Sequence, residues 1–253
     1  MCSSDLIAVR DQEKVLHLEQ DGATMDLHVD AILVGTGRAA NIEGLGLEQA
    51  GIAVDQQGVR VNDALQTANP RVYAAGDVCS PYKFTHAADA QARILIANAL
   101  FMGRQKASKL TIPWCTYTDP EIARVGLSEQ EARDRGIAAV TLTAQLTEND
   151  RAVLDGETQG FARVVLRKGT DVILGAAIVS RHAGETINVF TLAITGNLGL
   201  AAIGRAIHPY PTQAEVVKRL ADAYNRTRLT GPIKKILAAW LCWQRSRQGW
   251  LRR

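Results

Sequence analysis

The sequence predicts a mixed protein, α/β in its first part and α+β with an antiparallel sheet in its second, and three observations carry that prediction. Alternating apolar and polar residues flank Asp21-Gly22, and a second β-rich pair flanks Lys168-Gly169-Thr170-Asp171. Stretches with helical spacing lie between and after these hairpins.

In chain order, residues 7–9 are strand-like. Residues 14–20 and 25–29 alternate around Asp21-Gly22, a dipeptide that accepts the positive φ angles of a tight turn, so a two-stranded hairpin is expected. Residues 31–34 are a short apolar run that closes into Gly35-Thr36-Gly37-Arg38, which reads as a buried strand followed by a glycine turn. Short strand-and-turn units follow, among them residues 52–55, the turn at Gln56-Gln57-Gly58, and residues 72–75 before Gly76-Asp77. From residue 86 to 102, Ala88, Ala92, Leu95, Ile96, Ala99 and Leu100 recur with helical spacing, predicting a helix stopped by Gly103 and leaving Asp77 on a loop.

A basic linker, residues 104–109, leads to the second part. Ser128 and Glu131 have capping-box spacing and open a short helix that Gly136 ends. Residues 161–167 and 172–179 predict another hairpin, followed by helices over about 184–197 and 212–224, the last with Ala214, Val217, Leu220 and Ala221 on one face.

With 253 residues, 47% hydrophobic and 22% charged, the chain has room for one large or two modest domains. It holds no run of about 18 apolar residues and no signal-peptide layout, so a cytoplasmic protein is expected. The abrupt start suggests a truncated reading frame. Cys2, Cys79, Cys115 and Cys242 lie far apart, which predicts neither a metal site nor a local redox pair. The net charge of +3 conceals an asymmetry: residues 226–253 carry eight Lys or Arg and no acid, leaving 21 basic against 26 acidic residues before them. A basic footprint confined to one end argues against a nucleic-acid-binding core. Within that end, Ile233, Ile236, Leu237, Trp240 and Leu241 follow helical spacing over residues 233–247, with Trp243 and Trp250 nearby. Such a basic amphipathic helix suits a membrane surface or a partner groove, and a helix packed on its own domain fits the pattern equally well.

Four segments bear on chemistry. AILVGTGRAAN (31–41) is, on its residues alone, a glycine turn after a buried strand. TANPRVYAAGD (67–77) ends in a Gly that leaves room for close approach and an Asp able to accept hydrogen bonds, and Lys83-Phe84-Thr85-His86 leads from it into a helix. CTYTDPEIARVGLSE (115–129) carries a Cys that reads as a strand residue, since no basic neighbour in sequence would lower its pKa. HPYPTQAE (208–215) brings His208, Tyr210 and Glu215 close in sequence.

Together these segments resemble the pyridine nucleotide–disulfide oxidoreductases, the family of glutathione, dihydrolipoamide and mercuric reductases, over residues 31–224. The resemblance implies the C-terminal part of a flavoenzyme with two dinucleotide-binding domains, followed by an α+β dimerisation domain. Residues 1–35 would be a remnant of the NAD(P)-binding domain, 36–109 the C-terminal part of the FAD-binding domain, 110–225 the dimerisation domain and 226–253 a basic tail. FAD and NAD(P)H are the implied cofactors, with Gly37 near the nicotinamide, and Gly76 and Asp77 at the flavin, Asp77 accepting from a ribityl hydroxyl. Lys83, Phe84, Thr85 and His86 would lead a helix end toward the ring. A homodimer acting on a small-molecule or disulfide substrate is implied, with Tyr210 and Glu215 reaching the partner's site. Tyr210 stands where most members carry the acid–base His, and His208 lies two residues earlier; Tyr at this place is similar to mercuric reductases, whose vicinal C-terminal cysteines this chain lacks. No G-x-G-x-x-G and no Cys-x4-Cys occurs, so the electron relay is expected from an upstream segment of a longer parent. The rival expectation is a non-catalytic dimerisation module or an inactive truncation product.

Overall fold

The computed structural model describes residues 7–10 and 13–250, with side chains for 13–245. It opens with β1 (Ile7–Arg10), β2 (Glu13–Gln20) and β3 (Ala23–Val29), paired antiparallel in that order. The expected hairpin turns at Asp21 (φ 54) and Gly22 (φ 79), both in the left-handed region that a tight two-residue connection requires. Residues 7–10 add a third strand to the expected two.

Residues 31–34 do not form the expected buried strand. They have no regular structure, and Leu33 and Val34 are 98% and 73% exposed. A buried strand needs a ladder, and among the described residues no strand pairs with this run. Further on, β4 (Val54–Asp55) and β5 (Gly58–Val59) pair around the predicted turn, but residues 72–75 make only a single bridge, between Gln66 and Tyr73. Side chains take over where ladders are missing. Asn62 Oδ1 accepts from the N–H groups of Ala64 and Gln66, each at 3.0 Å; Asn69 Nδ2 donates to Ala50 O at 2.9 Å. Short polar side chains reach local backbone groups in this way without a sheet.

The helix α1 (Thr85–Leu100) follows, and past its end the Gly103 N–H donates to Ala97 O at 2.9 Å. Its buried line is Ala87, Gln91 and Ile94, whereas Ile96, Ala99 and Leu100 of the expected apolar face are exposed. The helix is apolar on more than one side, so spacing alone does not select the face.

The second part comprises β6 (Pro113–Thr116), β7 (Glu121–Gly126), α2 (Glu129–Asp134), β8 (Ala139–Gln145), α3 (Asp150–Asp155), β9 (Phe161–Arg167), β10 (Ile173–Ser180), α4 (Ala183–Thr186), α5 (Asn188–Thr195), α6 (Leu200–Arg205) and α7 (Val216–Arg228). Its sheet runs β6-β7-β10-β9-β8, antiparallel throughout. The capping box forms: Ser128 Oγ accepts from Glu131 N at 3.1 Å, and Glu131 Oε2 accepts from Ser128 N at 2.7 Å. The helix expected over 184–197 is interrupted at Ile187, whose backbone stays helical (φ −60, ψ −22). The one expected over 212–224 begins as a 3-10 turn at Gln213–Glu215 and extends to Arg228.

Every second residue of the central strands faces one core: Ala123 and Val125, then Ala162, Val164 and Leu166, then Ala176 and Ile178. Phe190, Leu200, Val217 and Leu220 from the helices cover them, all 0% exposed, each such side chain contributing about 1.5–3 kcal/mol by leaving water. Beyond this domain, α8 (Gly231–Trp250) exposes every side chain described in it, so the packing on its own domain that the pattern allowed is not seen. Among the described residues no helix is long and apolar enough to cross a membrane.

Candidate functional site

An open cleft of about 700 Å³ lies at the start of α1, lined by Gly37, Arg38, Pro81, Lys83 to His86, Cys115 and Tyr117. Five of the seven residues predicted to hold a cofactor, Gly37, Lys83, Phe84, Thr85 and His86, are thus brought to one place. Gly76 and Asp77 do not line it, but form its support. Gly76 has φ +81, and a Cβ there would stand 3.0 Å from that of Ala88, so the loop packs on α1 only with glycine. The buried Gln91 side chain locks this contact: its Oε1 accepts from Gly76 N at 2.7 Å and its Nε2 donates to Ser80 Oγ at 3.1 Å. Polar burial in α1 is therefore explained by the loop it holds.

Lys83 lines the cleft, yet its ammonium donates to the main-chain oxygens of Asp77 (2.7 Å) and Ser80 (3.1 Å), bracing residues 77–83 as a closed loop. Arg38 was not singled out in the sequence. Its guanidinium donates to Lys83 O at 3.0 Å and stands 3.5 Å from the Asp77 carboxylate, joining the 31–41 segment to the 76–83 loop. Its place one residue after Gly37 was the available signal. Phe84 stacks on His86 (5.4 Å between centroids) and on Trp114 (6.3 Å), and His86 Nε2 donates to Pro113 O at 2.7 Å. That contact anchors the start of α1 to β6. The N-terminus of α1 has no side-chain cap and no acid in its first turn, so its N–H groups and the positive end of its dipole remain available beside the cleft.

Neither nearby thiol is primed as a nucleophile. Burial raises the Cys79 pKa against the opposing charge of Lys83, and burial followed by the Glu121 carboxylate raises that of Cys115, a half-buried residue of β6.

The other predicted group, His208, Tyr210 and Glu215, lies before α7 and lines no part of this cleft. Tyr210 is 69% exposed and donates to Asp150 Oδ2 at 2.8 Å. That hydrogen bond, then the Asp150 charge, raises the phenol's pKa; desolvation and Glu215 add to the effect, and Arg219 opposes it. The phenol is therefore favoured in its protonated form, with its hydrogen directed at Asp150. His208 Nε2 donates to Ile203 O at 3.2 Å, which engages that nitrogen in holding the turn after α6. Asn149, also not foreseen, organises this group. Fully buried, it caps α3 by accepting from Ala152 N at 3.0 Å and donates to Thr212 O at 3.1 Å, fixing Asp150 against the Tyr210 segment. Asn before a short helix is the N-cap signal that could have found it.

Two family models match the chain. Residues 3–92 match the family described as "Pyridine nucleotide-disulphide oxidoreductase" and residues 112–221 its "dimerisation domain". A mercuric reductase of Staphylococcus aureus is 36% identical over 212 residues, 83% of this chain and 39% of that protein. A dihydrolipoyl dehydrogenase of Thermus scotoductus is 37% identical over 213 residues, 84% of this chain and 46% of that protein. Among solved structures, LpdA from Mycobacterium tuberculosis matches with a TM-score of 0.79 at 25% identity, covering 88% of this chain and 48% of that one. The HOCl-induced flavoprotein disulfide reductase RclA from Escherichia coli gives 0.76 at 25% identity, over 87% and 50%. The chain spans less than half the length of these two curated relatives.

Proposed function

Because the chain belongs to the pyridine nucleotide-disulphide oxidoreductase family, we propose that it supplies the flavin-facing and dimerising part of an FAD-dependent NAD(P)H oxidoreductase whose electrons go to a disulfide or a soft-metal-type acceptor. The observation that carries this reading is the Gly76-Asp77 loop, held by Gln91, Lys83 and Arg38 against the uncapped start of α1, beside a cleft open enough for a ring system. Bound FAD would supply the two-electron carrier between NAD(P)H and the acceptor. The chain's residues have the remaining tasks. The Asp77 carboxylate, steadied by Arg38, accepts from a ribityl hydroxyl, and the first N–H groups of α1 favour negative charge on the ring edge. At Gly37, φ +127 with open space around the α-carbon, the backbone can approach the nicotinamide.

On this reading residues 1–35, 36–109 and 110–225 divide as NAD(P)-binding, flavin-binding and dimerisation parts. In a homodimer Tyr210 and Glu215 serve the partner's site, Tyr210 as a proton donor toward the leaving sulfur or a neighbour of a bound soft metal. The names of the relatives support both acceptor classes, and neither the dithiol nor a dinucleotide fingerprint is written in these 253 residues. The rival reading, a dimerisation module without catalysis, draws on the self-contained core of the second part.

The test is FAD binding by the chain, followed by quenching of flavin fluorescence. Weak, saturable quenching that does not survive desalting and disappears in Asp77→Ala supports the proposal. Identical quenching by that variant, or a dimer in solution with no quenching, favours the rival. Stoichiometric flavin retained through desalting would refute the weak-binding expectation.

A further inference from the structure

We propose that α8 is a docking helix for an anionic lipid bilayer surface, lying in the plane of the headgroups rather than crossing them. Ile233, Ile236, Leu237, Trp240, Leu241 and Trp243 are between 41% and 68% exposed. At 3.6 residues per turn they fall on one arc of about 160°. Lys234 and Arg245 border that arc, and Lys235 lies on the opposite side.

Charge identifies the occupant. Residues 226–253 carry eight basic residues and no acid, and the rest of the chain is net negative. A helix on the outside of this same protein looks different: α7 buries Val216, Val217, Leu220 and Ala221 and pairs Lys218 with Asp222 at 2.6 Å on its polar side. Mixed signs suit water, whereas one sign beside an apolar arc suits a surface whose charge is opposite and continuous. Anionic headgroups provide that surface, with the acyl boundary beneath for the aliphatic residues and the headgroup level for indole rings. The net-negative body is repelled by such a bilayer, so the attraction must come from α8 and would hold the body outward. No helix among the described residues can cross a membrane, in keeping with a flat orientation.

The experiment is co-sedimentation of the whole chain with vesicles of phosphatidylcholine alone or with one third phosphatidylserine, alongside tryptophan emission. Three of the four tryptophans lie in α8 or at its end, so the emission reports mainly on this helix. Binding to the anionic vesicles only, with a blue shift, weakened by salt and reduced about tenfold or more in Lys234→Glu/Lys235→Glu/Arg245→Glu, is the expected result. Because all three side chains are exposed, that variant keeps the fold of the body, checked by its far-ultraviolet circular dichroism. The proposal is overturned if the chain ignores anionic vesicles, or if the triple variant binds them equally. A blue shift that instead follows protein concentration without lipid, with a rise in mass by light scattering that Trp240→Ser abolishes, would also overturn it and assign the face to a second copy.

Discussion

The segment from residue 31 to 83 and the domain from 113 to 228 are held together by different forces. The domain closes a five-stranded sheet over a buried apolar core, while the segment has two strands of two residues each and relies on side-chain-to-backbone hydrogen bonds from Asn62, Asn69, Gln91 and Lys83. The domain carries its stability within itself. The segment leaves Leu33 and Val34 in solvent and depends on docking to α1. This difference suits the segment to the role proposed for Gly37, Gly76 and Asp77: a backbone free of ladder bonds can present a loop, a glycine and a carboxylate to a ligand.

Breaking the domain should give the largest effect. Phe190→Ala is expected to cost about 3–5 kcal/mol, read from the urea midpoint, because it opens a cavity at the centre of the core. A small loss would mean that the domain is less close-packed than its burial indicates. Gln91→Leu tests the segment: it leaves Gly76 N–H without its acceptor, at about 1–3 kcal/mol. Amide exchange should accelerate in residues 76–82 and stay unchanged in β9 and β10; equal acceleration in both would dissolve the distinction between the two regions. Ser128→Ala removes the α2 cap and should lower domain stability by about 1 kcal/mol, without altering exchange in the segment.

The subtlest effects are in pH. The raised Tyr210 pKa means that the phenol's contribution to stability is complete below its ordinary value of 10.0 and is lost as pH rises through the raised value. Asp150→Asn should bring the phenolate absorbance in at lower pH than in the parent chain; an unchanged titration would show that the 2.8 Å contact is not maintained in solution. On the acid side, Asp155 is lowered first by its hydrogen bond from Arg151, and Glu157 first by that from Gln213. Their contributions are present above the ordinary carboxylate range and are lost as pH falls through the lowered values, so Gln213→Leu should make acid unfolding of the domain slightly less steep.

Much of the architecture was legible where a local rule suffices. Asp21-Gly22 specifies its hairpin through two positive φ angles, Ser128 and Glu131 specify their cap, and the hairpin of β9 and β10 follows from the β-rich runs on either side of residues 168–171. That Gly37 and the residues Lys83 to His86 would lie near one another was legible from their motifs, and they meet at one cleft. Arg38 and Asn149 were not, because an arginine after a glycine turn and an asparagine before a helix become informative only once their partners, Asp77 and Thr212, are known in space. The buried line of α1 was misread for a related reason: what Gln91 serves is Gly76, fifteen residues away.

By itself, then, the sequence determined the local turns, caps and strand pairs, the separation of a basic amphipathic end from a net-negative body, and the family to which the motifs point, because each depends on residues near one another in the chain. Only the tertiary structure decided which face of α1 is buried, that residues 31–34 stay outside any sheet, and that Tyr210 meets Asp150. Those outcomes depend on which distant group is within reach to share a hydrogen bond or exclude water, and spacing along the chain carries no such distance.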